Sequence, residues 1–239
     1  MKTVKYKGEF DHLYVMGDTH LDHPNTDLKL LKEHIDLIKN SGAPWVHLGD
    51  WVDAISHDDK RFDIKDGREG VVESYLKMEK LFKPIAPQCI AALRGNHGSK
   101  WSKKEGDMIR IICSGWDVPY LGYCGFVVWF VGNKSYKIWL HHGAGGGRKR
   151  GAKTIRLEEW PMFVEADVYL QGHTHTWVCF NDEKITHNKV KKRWYGNAPG
   201  YIRSYRGHDN YIEELGLRPQ CAGMLRVDMD PIKISAVIE

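Results

Sequence analysis

PWVHLGDWVD, residues 44–53, is the stretch that sets the reading of this chain. A short apolar run ends in glycine and aspartate, which suits a buried strand with an acid standing at its carboxyl end. The same form occurs earlier, as HLYVMGD (12–18), and later, as QCIAALRGNH (88–97). Amphipathic segments lie between these runs. TDLKLLKEHIDLIKNSG (26–42) carries Leu28, Leu31, Ile35 and Ile38 at helical spacing, with Thr26 or Asp27 to cap it and Gly42 to stop it. REGVVESYLKMEKLFKPI (68–85) and SKKEGDMIRIICSG (102–115) predict a second and a third helix. Strand, helix, strand, helix, strand is the alternation of a largely parallel α/β sheet.

The pattern changes in the second half. GFVVWFVGNKSYKIWLHHG (125–143) is two apolar runs around GNKS, a hairpin signal. EWPMFVEADVYLQGHTH (159–175) predicts a short helix and a strand, and TWVCFND, KVKKRWYG and GMLRVDMDPIKISAVIE supply further strands. There is no internal repeat and no linker-like segment. The expectation is one α/β domain over residues 1–239, built on two sheets.

Bulk properties narrow the class. A chain of 239 residues with 42% apolar and 28% charged residues buries a sizeable core without disulfides. The net charge of +4 permits a phosphate-bearing partner without demanding one. The five cysteines (Cys89, Cys113, Cys124, Cys179 and Cys221) are scattered and never form C-x-x-C, which argues against a disulfide framework or a thiolate zinc site. The first 18 residues lack the form of a signal peptide, and no run approaches the roughly 20 apolar residues needed to span a bilayer. The expected setting is the reducing cytoplasm, with no membrane partner.

Once the strands are placed, polar residues collect at their ends. Asp18 and His20 follow the first strand in GDTH, and Asp50 and Asp53 follow the second in GDWVD. Asn96 and His97 close RGNH, His141 and His142 close WLHH, and His173 and His175 close QGHTH. Ligands of α/β sheets bind at the carboxyl ends of strands, so these groups are expected to converge. Carboxylate, amide oxygen and imidazole without thiolate suit manganese first, with iron or zinc as alternatives. Seven or so donors are too many for one ion. They divide between two divalent metal ions with a shared carboxylate, an arrangement that clamps a phosphoryl group.

Taken in order, GDTH, GDWVD, RGNH, HH and GHTH resemble the five motifs of the calcineurin-like metallophosphoesterases, and they span residues 17–175. The resemblance implies a four-layer α-β-β-α sandwich of two mixed sheets. It implies one metal on Asp18, His20, Asp50 and His175, and a second on Asp50, Asn96, His173 and one of His141 and His142, with His141 slightly preferred. It also implies a bridging hydroxide that attacks phosphorus, with His97 stabilising the transition state or protonating the leaving oxygen. Gly98 stands where many relatives carry an acid after this histidine, so Asp53 is a substitute for orienting His97. The paired GHTH, and Ala54 after Asp53, fit the nuclease and phosphodiesterase branch better than the protein phosphatases. Together with the basic glycine loop that follows His142, this gives a phosphodiesterase as the enzyme expected, with DNA or RNA as one form of substrate. A phosphomonoesterase and a silent metal-binding interaction module are the alternatives.

GAGGGRKRGAKTIR (143–156) combines flexible backbone with Arg148, Lys149, Arg150, Lys153 and Arg156. It reads either as a loop over a phosphate, with Arg148 and Arg150 as substrate contacts, or as a solvated surface loop. KVKKRW (189–194) reads as an edge strand protected by its lysines. Tryptophans near the motifs could stack a base, although packing is the commoner role. Tyr201 and Arg203 are candidates for a cleft wall.

Overall fold

Side chains alternate along every central strand, and that alternation divides the protein into four layers. The computed structural model describes residues 1–62, 64–67, 69–205 and 211–238, with the side chains of Lys65, Lys104, Arg150 and Tyr211 outside the description. Strands β1 (Thr3–Tyr6), β2 (His12–Met16), β3 (Trp45–His47) and β4 (Cys89–Leu93) are joined by helices α1 (Leu28–Ser41) and α2 (Val71–Phe82). Helices α3 (Gly95–Glu105) and α4 (Met108–Gly115) follow, then β5 (Tyr120–Gly122), β6 (Cys124–Val131) and β7 (Lys134–His141). The remaining elements are α5 (Arg150–Glu159), β8 (Val168–Gln171), β9 (Val178–Thr186), β10 (Lys189–Asn197), α6 (Tyr211–Glu214), β11 (Gly223–Met229) and β12 (Ile232–Ile238).

Two mixed six-stranded sheets run in the orders β12-β11-β2-β3-β4-β5 and β1-β6-β7-β8-β10-β9. On the first, Leu13, Val15, Val46, Ala91 and Leu93 face the second sheet, where Val127, Trp129, Ile138, Leu140, Val168 and Leu170 meet them. The alternate residues Tyr14, Met16, Trp45 and Ala92 pack outward with Leu31, Ile35 and Ile38 of α1 and Tyr75, Met78 and Phe82 of α2. On the far side, Trp139, Tyr169 and Tyr195 take Leu157 of α5. Helices, sheet, sheet and helix therefore enclose three apolar interfaces, the expected α-β-β-α sandwich.

Local signals were mostly obeyed. Asp27 caps α1 by accepting from the Leu30 amide at 3.1 Å, and Gly42 ends the helix at φ 69°. The expected third helix is two. Gly106 turns the chain at φ 99° and Asp107 starts α4 by accepting from the Arg110 amide, so α3 begins directly after β4 and carries Asn96 and His97 in its first turn. The glycine-rich segment 143–156 is a loop only in its first part, because α5 starts at Arg150. KVKKRW is an edge over most of its length, because Lys189–Arg193 of β10 pair only with β9 and β8 joins on the other side from Trp194. Tyr201 lines no cleft: its buried ring lies under α1 and its hydroxyl is hydrogen-bonded to His34 Nδ1 at 2.7 Å, while Arg203 pairs with Asp27. Among the described residues, no helix is long and apolar enough to cross a membrane.

Burial lowers His34 to about 4, so it folds neutral, hydrogen-bonded to the Tyr201 hydroxyl. The unfolded histidine titrates near 6.5, and the folded value lies below it. Stability from this group is therefore complete above pH ~6.5 and declines as pH falls toward 4, by roughly 2–3 kcal/mol in total. Denaturant titrations across pH 4–7 should show His34→Gln, which keeps an acceptor, flattening this acid limb.

Candidate metal centre

The parallel pairing of β2, β3 and β4 continues past the strands into their loops. Asp18 N donates to Gly49 O at 2.9 Å, His20 N to Asp50 O at 3.1 Å, and Asp50 N to Arg94 O at 3.2 Å. Across the sandwich, Gly172 N donates to His142 O at 2.9 Å and prolongs β7 and β8 in the same way. His173 N donates to Asp18 Oδ2 at 2.7 Å and stitches the two sheets together. Five strand ends thus meet at one edge.

The backbone there is bent. Asp18, His20, Asp50, His173 and His175 all have positive φ, between 39° and 71°. Left-handed backbone costs a non-glycine residue about 1–2 kcal/mol, and it turns these side chains inward from the strand direction. Gly95, at φ 87°, gives the room. A Cβ on it would stand 2.2 Å from Asp50 Oδ1.

Seven side chains present oxygen or nitrogen atoms to a shared centre. Asp18, His20 and His175 form one group and Asp50, His142 and His173 another, with all donor atoms in each group within 4.8 Å of one another. Asn96 Oδ1 lies 2.8 Å from His142 Nε2 and 2.7 Å from His173 Nδ1. Asp50 Oδ2 stands between the groups, 3.2 Å from His142 Nε2 and 3.9 Å from His20 Nε2. Asp50 Oδ1 is held from behind by the His97 amide at 2.9 Å, in the first turn of α3.

Outer contacts aim the imidazoles. His20 Nδ1 is bonded to Asp53 Oδ1 at 2.6 Å, His142 Nδ1 to Leu48 O at 2.8 Å, and His173 Nε2 to Gly145 O at 2.9 Å. Each outer nitrogen therefore carries its hydrogen, and the inner nitrogen faces the centre. His20 Nε2 and His175 Nε2 point at each other across 3.2 Å, and buried Asp18 Oδ1 accepts no hydrogen bond among the described residues. Turned over, the Asn96 amide would donate to both imidazoles and to Asp50. As it stands, its oxygen faces the same centre as the two imidazoles, where a cation rather than a hydrogen would suit it.

Electrostatics agree. Burial raises the Asp18 carboxyl to about 6, with Asp50 adding to the rise against the pull of His142. Burial would raise Asp50 also, yet His142 and His97 hold it well below the usual carboxylate range. Burial disfavours charge on His20, but Asp53, Asp50 and Asp18 override it and raise the ring to about 9. This pocket favours positive charge, as protons on His20 and His142 or as divalent cations in their place, while burial keeps His173 and His175 neutral. Donor type, tautomer and charge all fit two hard or borderline metal ions.

His141 is not among the donors. Its ring leans on Trp160 at 4.2 Å between centroids, its Nδ1 accepts from Gly143 N at 2.7 Å, and burial lowers it to about 4. Strand parity explains this correction. Ile138 and Leu140 face the other sheet, so Trp139 and His141 face outward, and His142 turns in just beyond the strand. Asp53 stands behind His20 and also approaches His97, whose Nδ1 donates to the Asp53 carbonyl at 2.9 Å and lies 3.3 Å from its carboxylate. Arg148 donates to the carbonyl of Leu215, and the Arg150 side chain lies outside the described residues. Two residues near the site escaped the sequence reading. Arg61 lies against His97, and buried His47 bonds Thr19 of the first loop and the Gly49 amide of the second. Neither sits in a motif. The buried, all-apolar surroundings of His47 in PWVHLGD were the one available signal.

No family model matches this chain, and no curated protein matches it. Among solved structures it is similar to Yfce, a phosphoesterase from E. coli, at 18% identity over 95% of this chain and 98% of that one, with a TM-score of 0.47. A metallophosphoesterase from Sphaerobacter thermophilus is 14% identical over 95% and 88%, with a TM-score of 0.43. A Vps29 double mutant from Entamoeba histolytica is 13% identical over 95% and 99%, with a TM-score of 0.45. Likeness at this level carries no functional argument, and the reading of the site rests on this chain's own donors.

Asp53→Asn keeps the shape but removes the charge behind His20. Calorimetric titration with Mn²⁺ should show affinity falling by about 10–100-fold. With the unaltered protein, the same titrations should register proton release that grows as pH drops from 9 to 7, because His20 must lose its proton to become a ligand.

Proposed function

We propose that this protein is a dinuclear-metal phosphoesterase of the calcineurin-like type, with a phosphodiester as its substrate class. The observation that carries the reading is the inward convergence of Asp18, His20, Asp50, Asn96, His142, His173 and His175 from strand ends of both sheets. One site would be held by Asp18, His20, Asp50 and His175, the other by Asp50, Asn96, His142 and His173. Two divalent cations there would supply Lewis-acid activation of water and neutralise the phosphate oxygens.

The remaining steps fall to the chain itself. Asp50 is shared, because its Oδ2 lies between the two imidazole groups while the α3 amide fixes its Oδ1. His97 anchors one ring nitrogen on Asp53, and its Nε2 lies 3.9 Å from Asp50 Oδ2. That nitrogen is placed to stabilise the phosphoryl group or to deliver a proton to the leaving oxygen. Asp53 takes the orienting part that the acid usually found after this histidine would play. The basic residues from Arg148 to Arg156, which leave the site loop toward α5, support a diester or nucleic-acid substrate with Arg148 and Arg150 as contacts. Trp177, 38% exposed just beyond His175, offers a face for a base.

The purified protein with Mn²⁺ should hydrolyse bis-p-nitrophenyl phosphate, and Asp50→Asn should abolish the activity by at least about 10³-fold. Full metal loading with no turnover on any phosphodiester or phosphomonoester would leave only a metal-binding interaction module. For a nucleic-acid substrate, binding of single-stranded DNA or RNA should weaken steeply with salt and weaken again when Arg148 and Arg150 become alanine. Salt-insensitive binding would point to a small substrate.

A further inference from the structure

His47 is the last residue of β3 and is fully buried. Its ring stacks on Trp51 at 3.6 Å between centroids and meets Phe82 edge-on at 5.9 Å. A phenylalanine would fill that space, and a buried imidazole is costly there unless its nitrogens are bonded. Both are. Nδ1 accepts from the Gly49 amide at 3.1 Å, so the hydrogen of the neutral ring sits on Nε2, which donates to Thr19 Oγ1 at 3.3 Å. Thr19 Oγ1 gives its own hydrogen to Trp51 O at 2.9 Å. One ring therefore holds the loop that carries Asp18 and His20 and the turn that carries Asp50.

That turn is where the two donor groups are tied together. Leu48 O accepts from His142 Nδ1 at 2.8 Å, Gly49 O from Asp18 N at 2.9 Å, and Asp50 O from His20 N at 3.1 Å. Three consecutive carbonyls thus fix Asp18 and His20 of one group and His142 of the other. Gly49, at φ 104°, has no slack, because a Cβ on it would lie 2.6 Å from Gly95 N and 2.8 Å from His142 Nδ1. Resting on the dinuclear reading above, we propose that His47 is a positioning residue that sets the separation between the two metal sites. Without the ring bonds the Gly49 peptide is free to rotate, and Asp50 shifts against Asp18. A side chain that only packed on Trp51 would restrain neither loop.

The test uses the full chain with Mn²⁺. Calorimetry reads the two sites, and electron paramagnetic resonance reads the magnetic coupling between the ions, which depends steeply on their separation. His47→Phe keeps the stack on Trp51 and removes both hydrogen bonds. His47→Asn loses the stack but keeps an oxygen that can accept from the amide two residues on. In His47→Phe the weaker Mn²⁺ should bind about 10–100-fold less tightly and the coupled signal should vanish. Its kcat on bis-p-nitrophenyl phosphate should fall by about 10²-fold with KM little changed. His47→Asn should retain part of each, and Thr19→Val, which leaves the ring in place, should lose part of the coupling. A packing role predicts the reverse order, so His47→Phe at or above His47→Asn in affinity and coupling overturns the proposal. If His47→Phe does not fold, the other two variants decide: coupling equal to that of the unaltered protein in both overturns the proposal, and partial loss supports it. An unaltered protein with a coupled Mn²⁺ pair but no turnover keeps the role of His47 and removes the phosphoesterase reading. One that binds no coupled pair removes both.

Discussion

Two carboxylates buried side by side govern this structure. Asp18 and Asp50 are almost wholly shielded from water, at 0% and 2% exposure, on neighbouring loops locked together by backbone hydrogen bonds. Bare, such a pair would cost several kcal/mol in desolvation and repulsion. The surrounding imidazoles answer that cost, and the outer nitrogens of His20, His142 and His173 are tied to carbonyls or to Asp53, so their inner nitrogens have no freedom to turn away. Positive charge between the carboxylates offsets their repulsion where the two sheets meet. The stitch from His173 to Asp18 shows how directly the site and the sandwich depend on each other.

Precision at the site comes from layers behind it. His47, stacked on Trp51 at 3.6 Å between centroids, bonds Thr19 and the Gly49 amide and so registers the first two loops against each other. Burial keeps this ring neutral. Left-handed backbone at five of the donors is strain that the continued β pairing sustains. A softer frame would relax it, and the lone pairs would diverge.

Much of this was legible in the sequence, for a physical reason in each case. Apolar runs ending in Gly-Asp, Gly-Asn-His or His-His announce strands whose ends are polar, and the capped stripe of α1 reads directly from Asp27 to Gly42. The α5 helix was obscured because Gly145, Gly146, Gly147 and Gly151 suppress helical propensity, whereas Leu157 packing against Trp139 and Tyr169 supplies the stability that propensity lacks. The lysines of β10 marked an edge, and over Lys189–Arg193 they do sit on one, since β8 pairs with the strand only from Trp194 onward. Arg61 was invisible, because its partners Asp59 and His97 give it meaning only once the loop folds back.

The sequence by itself determined the inventory: which residue types stand at the ends of which strands, in what order, and therefore a donor set rich in carboxylate and imidazole and free of thiolate. Only the tertiary structure decided which of those residues meet. His141 and His142 are chemically identical neighbours. The alternation of β7 sends His141 out to Trp160 and lets His142 turn in toward Asp50, a choice made by which face of the strand the second sheet covers. Tautomers and the shared position of Asp50 likewise depend on atoms distant in the chain. Proximity of that kind is a property of the folded layers, and no local pattern of residues encodes it.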